Sequence, residues 1–243
     1  FMQRPLFLTR LGDRLDLDKA VCLAISVRLW QFLAGPFTVW LIGSHFTSAE
    51  RGYFYTFSSL LATQSFFELG LQGVLVNLTS HEWARRKKAE KDGNPASNSV
   101  GDSVDDMNFD SQQTRLASLL HLITRWYSIC AVVFVAMIGP IGFMVLQTHG
   151  QPELWALPWC ALIPLNAIVL WLAPLTSFLI GCNQVTTVNK FRLSQAIIGN
   201  LVVWSAIVSG AGLWTPVAAV LVQICVEGCL IGLRYRRLFV GLF

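Results

Sequence analysis

The chain has 243 residues, of which 54% are hydrophobic and only 13% charged, whereas a soluble domain carries about 25% charged residues. With a mean hydropathy of +0.54, this composition excludes a disordered, collagen-like or disulfide-stapled secreted chain and points to the bilayer as solvent. The net charge of +4 comes from basic clusters between apolar runs rather than from a basic stripe with aromatics, so no nucleic-acid partner is indicated.

Residues 1–19 mix Leu6, Phe7, Leu8, Leu11, Leu15 and Leu17 with charges. They read as a cytoplasmic N-terminal segment able to lie along the interface as a short helix. Apolar segments follow at about 20–43, 53–78, 116–147, 154–181, 193–212 and 214–233, each long enough to cross a core of about 30 Å at about 1.5 Å per residue. The pattern predicts an all-α integral membrane protein, a six-transmembrane-helix bundle over residues 20–234. Gly139-Pro140 in the third segment and Pro158, Pro164 and Pro174 in the fourth are tolerated where neighbouring groups satisfy the freed carbonyls. The polar stretch 80–114 starts basic (Arg85 to Lys88) and ends acidic (Asp102, Asp105, Asp106, Asp110). It reads as a cytoplasmic loop, and residues 235–243 as a cytoplasmic end.

Lys and Arg collect on the cytoplasmic side of alternate loops. Arg4, Arg10, Arg14 and Lys19 precede the first segment. Arg85, Arg86, Lys87, Lys88, Lys91, Arg115 and Arg125 stand between the second and the start of the third, Lys190 and Arg192 between the fourth and fifth, and Arg234, Arg236 and Arg237 after the sixth. The opposite loops hold only Arg51. Both termini are therefore expected in the cytoplasm. The six cysteines form no C-x-x-C pair and stand near no histidine at ligand spacing, so neither a zinc site nor a disulfide framework is expected. His81-Glu82 lacks the second histidine of H-E-x-x-H. No catalytic set, phosphate loop or cofactor fingerprint is assembled by spacing.

Ionisable and amide side chains inside hydrocarbon are costly unless they meet a partner or a wet cavity, which makes them functional candidates. The first segment carries Arg28, Gln31, Gly35 and Thr38 on one face, the second Gln64, Glu68 and Gln72 four residues apart, and the sixth Gln223 and Glu227. Each has an ordinary reading too. Arg28 can snorkel to headgroups from about 12 Å inside, Glu68 can be a structural carboxyl paired with glutamine, and the amides can be helix–helix glue.

The stretches Arg28-Leu-Trp-Gln-Phe-Leu-Ala-Gly-Pro36, Glu50-Arg-Gly-Tyr-Phe-Tyr-Thr-Phe-Ser-Ser59, Phe66-Phe-Glu-Leu-Gly-Leu71 and Ser80-His-Glu-Trp83 resemble bacterial polysaccharide (O-antigen type) flippases of the multidrug/oligosaccharidyl-lipid/polysaccharide exporter superfamily. The motifs cover about residues 26–83. The resemblance implies one lobe, the N-terminal half, of a two-lobe transporter of twelve to fourteen helices in the bacterial inner membrane, with a C-terminal lobe as missing partner. Loop 80–114 departs from that compact pattern. The implied activity is ion-coupled alternating access that flips an undecaprenyl-diphosphate-linked oligosaccharide without making or breaking bonds and without a cofactor or metal. By the same resemblance Arg28, Gln31, Gln64 and Gln72 would bind substrate and Glu68 would couple an ion. The rival readings are a multidrug/toxin extrusion antiporter, which calls for an anionic cavity, a membrane-embedded polysaccharide polymerase or glycosyltransferase, and a scaffold subunit.

Overall fold

The computed structural model describes residues 6–68, 71–92, 102–148 and 150–234. Among these the chain is helical and contains no strand, as a bilayer demands of a spanning chain that must satisfy its backbone internally. The helices are α1 (Leu6–His45), α2 (Ser48–Ala62), α3 (Gln64–Glu68), α4 (Leu71–Asp92), α5 (Asp102–Gln147), α6 (Pro152–Gly181), α7 (Val185–Val208) and α8 (Thr215–Cys229). A short 3-10 turn, Gly212–Trp214, precedes α8, and a π-helical turn, Leu230–Arg234, follows it. Five described stretches are long and apolar enough to cross a membrane: Lys19–His45, Leu120–Gln147, Pro152–Gly181, Val185–Val208 and Gly212–Gly232. The chain is a membrane-embedded helical protein.

The line expected as a single helix over 53–78 is interrupted at Thr63, between α2 and α3, and residues 69 and 70, between α3 and α4, lie outside the described residues. A capping box opens it: Thr47 Oγ1 accepts from the Glu50 amide at 3.3 Å, and Glu50 Oε2 accepts from the Thr47 amide at 2.8 Å. The break falls at Thr63, whose hydroxyl and amide both donate to the Leu60 carbonyl. The Phe66 amide then donates to the Thr63 carbonyl at 3.0 Å. These three-residue turns tighten the coil and interrupt the α-helical ladder. The line is fixed at both ends. Tyr53 donates its hydroxyl to the Gly150 carbonyl at 2.6 Å, beside the start of α6, and Thr79 packs on Gly181 at the end of α6.

The segment expected as loop 80–114 is helical through Asp92 and again from Asp102, leaving residues 93–101 outside the described structure. Glu, Lys, Arg and Ala between Glu82 and Asp92 are strong helix formers. The expected N-terminal segment is likewise helical from Leu6 and continuous with α1. Residues 1–5 and the expected cytoplasmic end 235–243 lie outside the described residues.

α6 is the central helix, packed against α4, α5, α7 and α8 and touching α2. On one side Trp155 and Trp159 are buried with Phe57, Tyr127, Phe134 and Leu162. Trp159 lies against Gly142, where a β-carbon would clash, and donates to the Gly139 carbonyl at 3.2 Å. Towards the far end Leu120, Leu172, Phe178, Leu179 and Val188 form a second cluster. Among lipid tails these contacts stabilise by close packing rather than by escape from water. α1 lies outside the bundle and packs mainly on α7. Asn189 donates to the Ala20 carbonyl at 3.2 Å, Trp30 to the Ala196 carbonyl at 3.1 Å, and Trp204 to Thr38 Oγ1 at 2.9 Å.

Candidate functional site

Polar positions on separate helices meet because each helix repeats them at its own period. Gln64, Glu68 and Gln72 are four residues apart across α3 and α4. Gln223 and Glu227 are four apart on α8, and Val27 and Gln31 four apart on α1. On α7, Arg192, Gln195, Ala196, Gly199, Asn200 and Val203 trace one face. All of these line a single cavity of about 460 Å³, closed on its inner side by Val169, Ala173 and Thr176 of α6 and by Ala219 of α8. Ala173, Ala196, Gly199 and Ala219 are too short to fill the space that the surrounding helices enclose.

Within the cavity each carboxyl is held by the amide one turn away. Gln72 Nε2 donates to Glu68 Oε2 at 3.0 Å, and Gln223 Nε2 donates to Glu227 Oε1 at 3.1 Å. Thr176 is turned onto its own helix, its hydroxyl donating to the Ala173 carbonyl at 2.9 Å. Gln64, Glu68, Gln72, Gln195, Asn200, Gln223 and Glu227 are half-buried and Gln31 is exposed, so the cavity is reached from outside the chain.

Of the side chains singled out from sequence, Gln31, Gln64, Glu68, Gln72, Gln223 and Glu227 come together here. Arg28 does not: it is exposed on α1 and does not belong to the lining. The cation in the cavity is Arg192, with Gln195 and Asn200 on the same helix and Gln223 and Glu227 opposite. No family model, curated protein or solved structure matches the chain.

Six amide side chains line the cavity, and each offers both donors and an acceptor, a surface suited to hydroxyl-bearing solutes. One guanidinium faces two carboxyls, so the lining is acidic on balance when both carboxyls are ionised. Among the described residues the lining holds no Ser, Cys or His, and no group of three His, Cys, Asp or Glu side chains could hold a metal ion.

Proposed function

We propose that the chain is a transport lobe whose polar cavity carries the head of a sugar-bearing lipid, an undecaprenyl-diphosphate-linked oligosaccharide, across the bacterial inner membrane. The observation that carries this reading is the meeting of amides and charges from α1, α3, α4, α7 and α8 in one cavity among apolar helices. A diphosphate with a sugar chain cannot cross hydrocarbon unaided. A cavity lined by amides and a guanidinium offers the head group hydrogen bonds in place of water, while the lipid tail stays in the acyl region. In this reading a second lobe completes the cavity, both termini are cytoplasmic, Glu68 couples an ion to the movement, and Arg192 takes the place first expected of Arg28.

The excess of carboxyls over guanidinium favours a second reading, a multidrug/toxin extrusion antiporter that carries an organic cation. One experiment separates the two, with full-length protein expressed in a bacterium lacking its own flippase. Arg192→Ala and Gln64→Ala/Gln72→Ala should each lower surface polysaccharide at least about tenfold, the equivalent of one hydrogen bond to a charged group, while the protein stays in the membrane. Arg28→Ala should keep most of the export. Normal polysaccharide in all cavity variants overturns the flippase reading. Loss of resistance to cationic dyes in the same variants would establish the antiporter.

A further inference from the structure

Several polar groups of the cavity direct their donors at each other or at their own helix, and their acceptors are what remains. Gln72 commits its amide nitrogen to Glu68 at 3.0 Å and Gln223 commits its own to Glu227 at 3.1 Å, which leaves the carbonyl oxygen of each amide uncommitted among the described residues. Thr176 gives its proton to the Ala173 carbonyl and keeps only lone pairs. Glu227 Oε2 is buried and has no hydrogen-bond partner among the described residues. A buried oxygen left in this way costs free energy that a donor recovers. The missing partner is therefore a donor. Arg192, the only cation of the lining among the described residues, is exposed at its edge, so the two carboxyls favour a donor that brings positive charge.

We propose that the cavity binds an amino sugar whose amine is free, the ammonium donating to Glu227 Oε2 and the ring hydroxyls to the uncommitted amide oxygens. This rests on the transport reading of the same cavity and names the unit of the head group that enters it. Other parts of a cargo match the lining less well. A diphosphate diester offers acceptors to a wall of acceptors and sets negative charge beside Glu68 and Glu227. A flat aromatic cation finds no ring to stack on, because the lining holds no Phe, Tyr or Trp among the described residues. An N-acetylated sugar keeps the hydroxyls but lacks the charged donor. The volume of about 460 Å³ falls within the ~300–1,000 Å³ of small-ligand sites, room for a short oligosaccharide.

The probe is the disaccharide of glucosamine, set against the same disaccharide N-acetylated and against cellobiose. Each is titrated calorimetrically into the full protein in phosphatidylcholine nanodiscs, in an amine-free buffer in which the glucosamine amines are charged, with empty nanodiscs as background. The amine form should bind at least about tenfold more tightly than either neutral sugar, the equivalent of one hydrogen bond to a charged group. Glu227→Gln should bind the neutral sugars as wild type does and lose the preference. Equal affinities for the three sugars in the wild type, binding of none of them, or a preference that survives Glu227→Gln overturns the assignment. If Glu227→Gln fails to fold, the wild-type comparison decides it alone. Ethidium that binds more tightly than the glucosamine disaccharide overturns it in favour of an aromatic cation. An absent preference beside cavity-dependent polysaccharide export removes the amino sugar and leaves the transport reading standing. A clear preference in a protein whose cavity variants export normally supports the binding site while the flippase reading falls.

Discussion

Gly181→Ala tests whether the broken line α2–α3–α4 is seated against α6. A β-carbon at Gly181 would lie 2.5 Å from Thr79 Cβ, 2.8 Å from Thr79 Cγ2 and 3.1 Å from the Val76 carbonyl oxygen. Comfortable carbon–carbon contact begins at about 3.5 Å, so α4 and α6 must part by roughly 1 Å. Thr79 is only 2% exposed, and a backbone oxygen cannot rotate away. Overpacking of this kind costs about 1–3 kcal/mol, or roughly 2–12 °C of melting temperature for a chain of this size. The assay is tryptophan fluorescence on heating the purified protein in detergent. Thr79→Ala removes Cγ2 but leaves the β-carbon, so adding it to Gly181→Ala should recover only part of the loss. A Gly181→Ala protein melting with wild type would mean that α4 does not approach α6 closely, and the Gln72 wall of the cavity would go with it.

Cysteine substitution reads whether the cavity is wet: Gln64→Cys should react with a charged methanethiosulfonate reagent, while Val132→Cys, 68% exposed on apolar α5, should react far more slowly in lipid. Equal rates at the two positions would contradict the placement. Tyr53→Phe removes the 2.6 Å bond to the Gly150 carbonyl, but Trp155 still donates to that oxygen at 3.0 Å. The expected loss is therefore modest, about 1 kcal/mol, read in the same melting assay. Losing both donors in Tyr53→Phe/Trp155→Phe should cost clearly more than the two single changes together.

The apolar runs that became α5, α6 and α8 were legible because hydrocarbon selects them by length and hydropathy alone. Interruptions were less so. Thr63 breaks the second segment through its own hydroxyl, and nothing in a hydropathy window marks that bond. The charged stretch after Thr79 looked like loop by polarity, yet Lys, Glu and Arg extend a helix as readily outside a membrane as apolar residues do inside it. For the cavity, helical spacings of three and four picked out Gln31, Gln64, Glu68, Gln72, Gln223 and Glu227, which do share one lining. Arg192 was missed for a reason that can be located. The fifth segment was expected to begin at 193, which left Arg192 among the loop charges, whereas α7 begins at Val185 and carries Arg192 about two turns inside. The spacing Arg192, Gln195, Gly199 is the same signal that found Gln31, applied to a helix given the wrong start.

The line from Tyr53 to Thr79 resembles a beam clamped at its two supports and cut near the centre. Its supports, at the Gly150 carbonyl and at Gly181, both belong to the frame around α6, so the beam cannot slide lengthwise without losing one of them. What is left to it is bowing at the cut, a sideways travel that would take Gln64 and Glu68 towards or away from α7 while both anchorages hold.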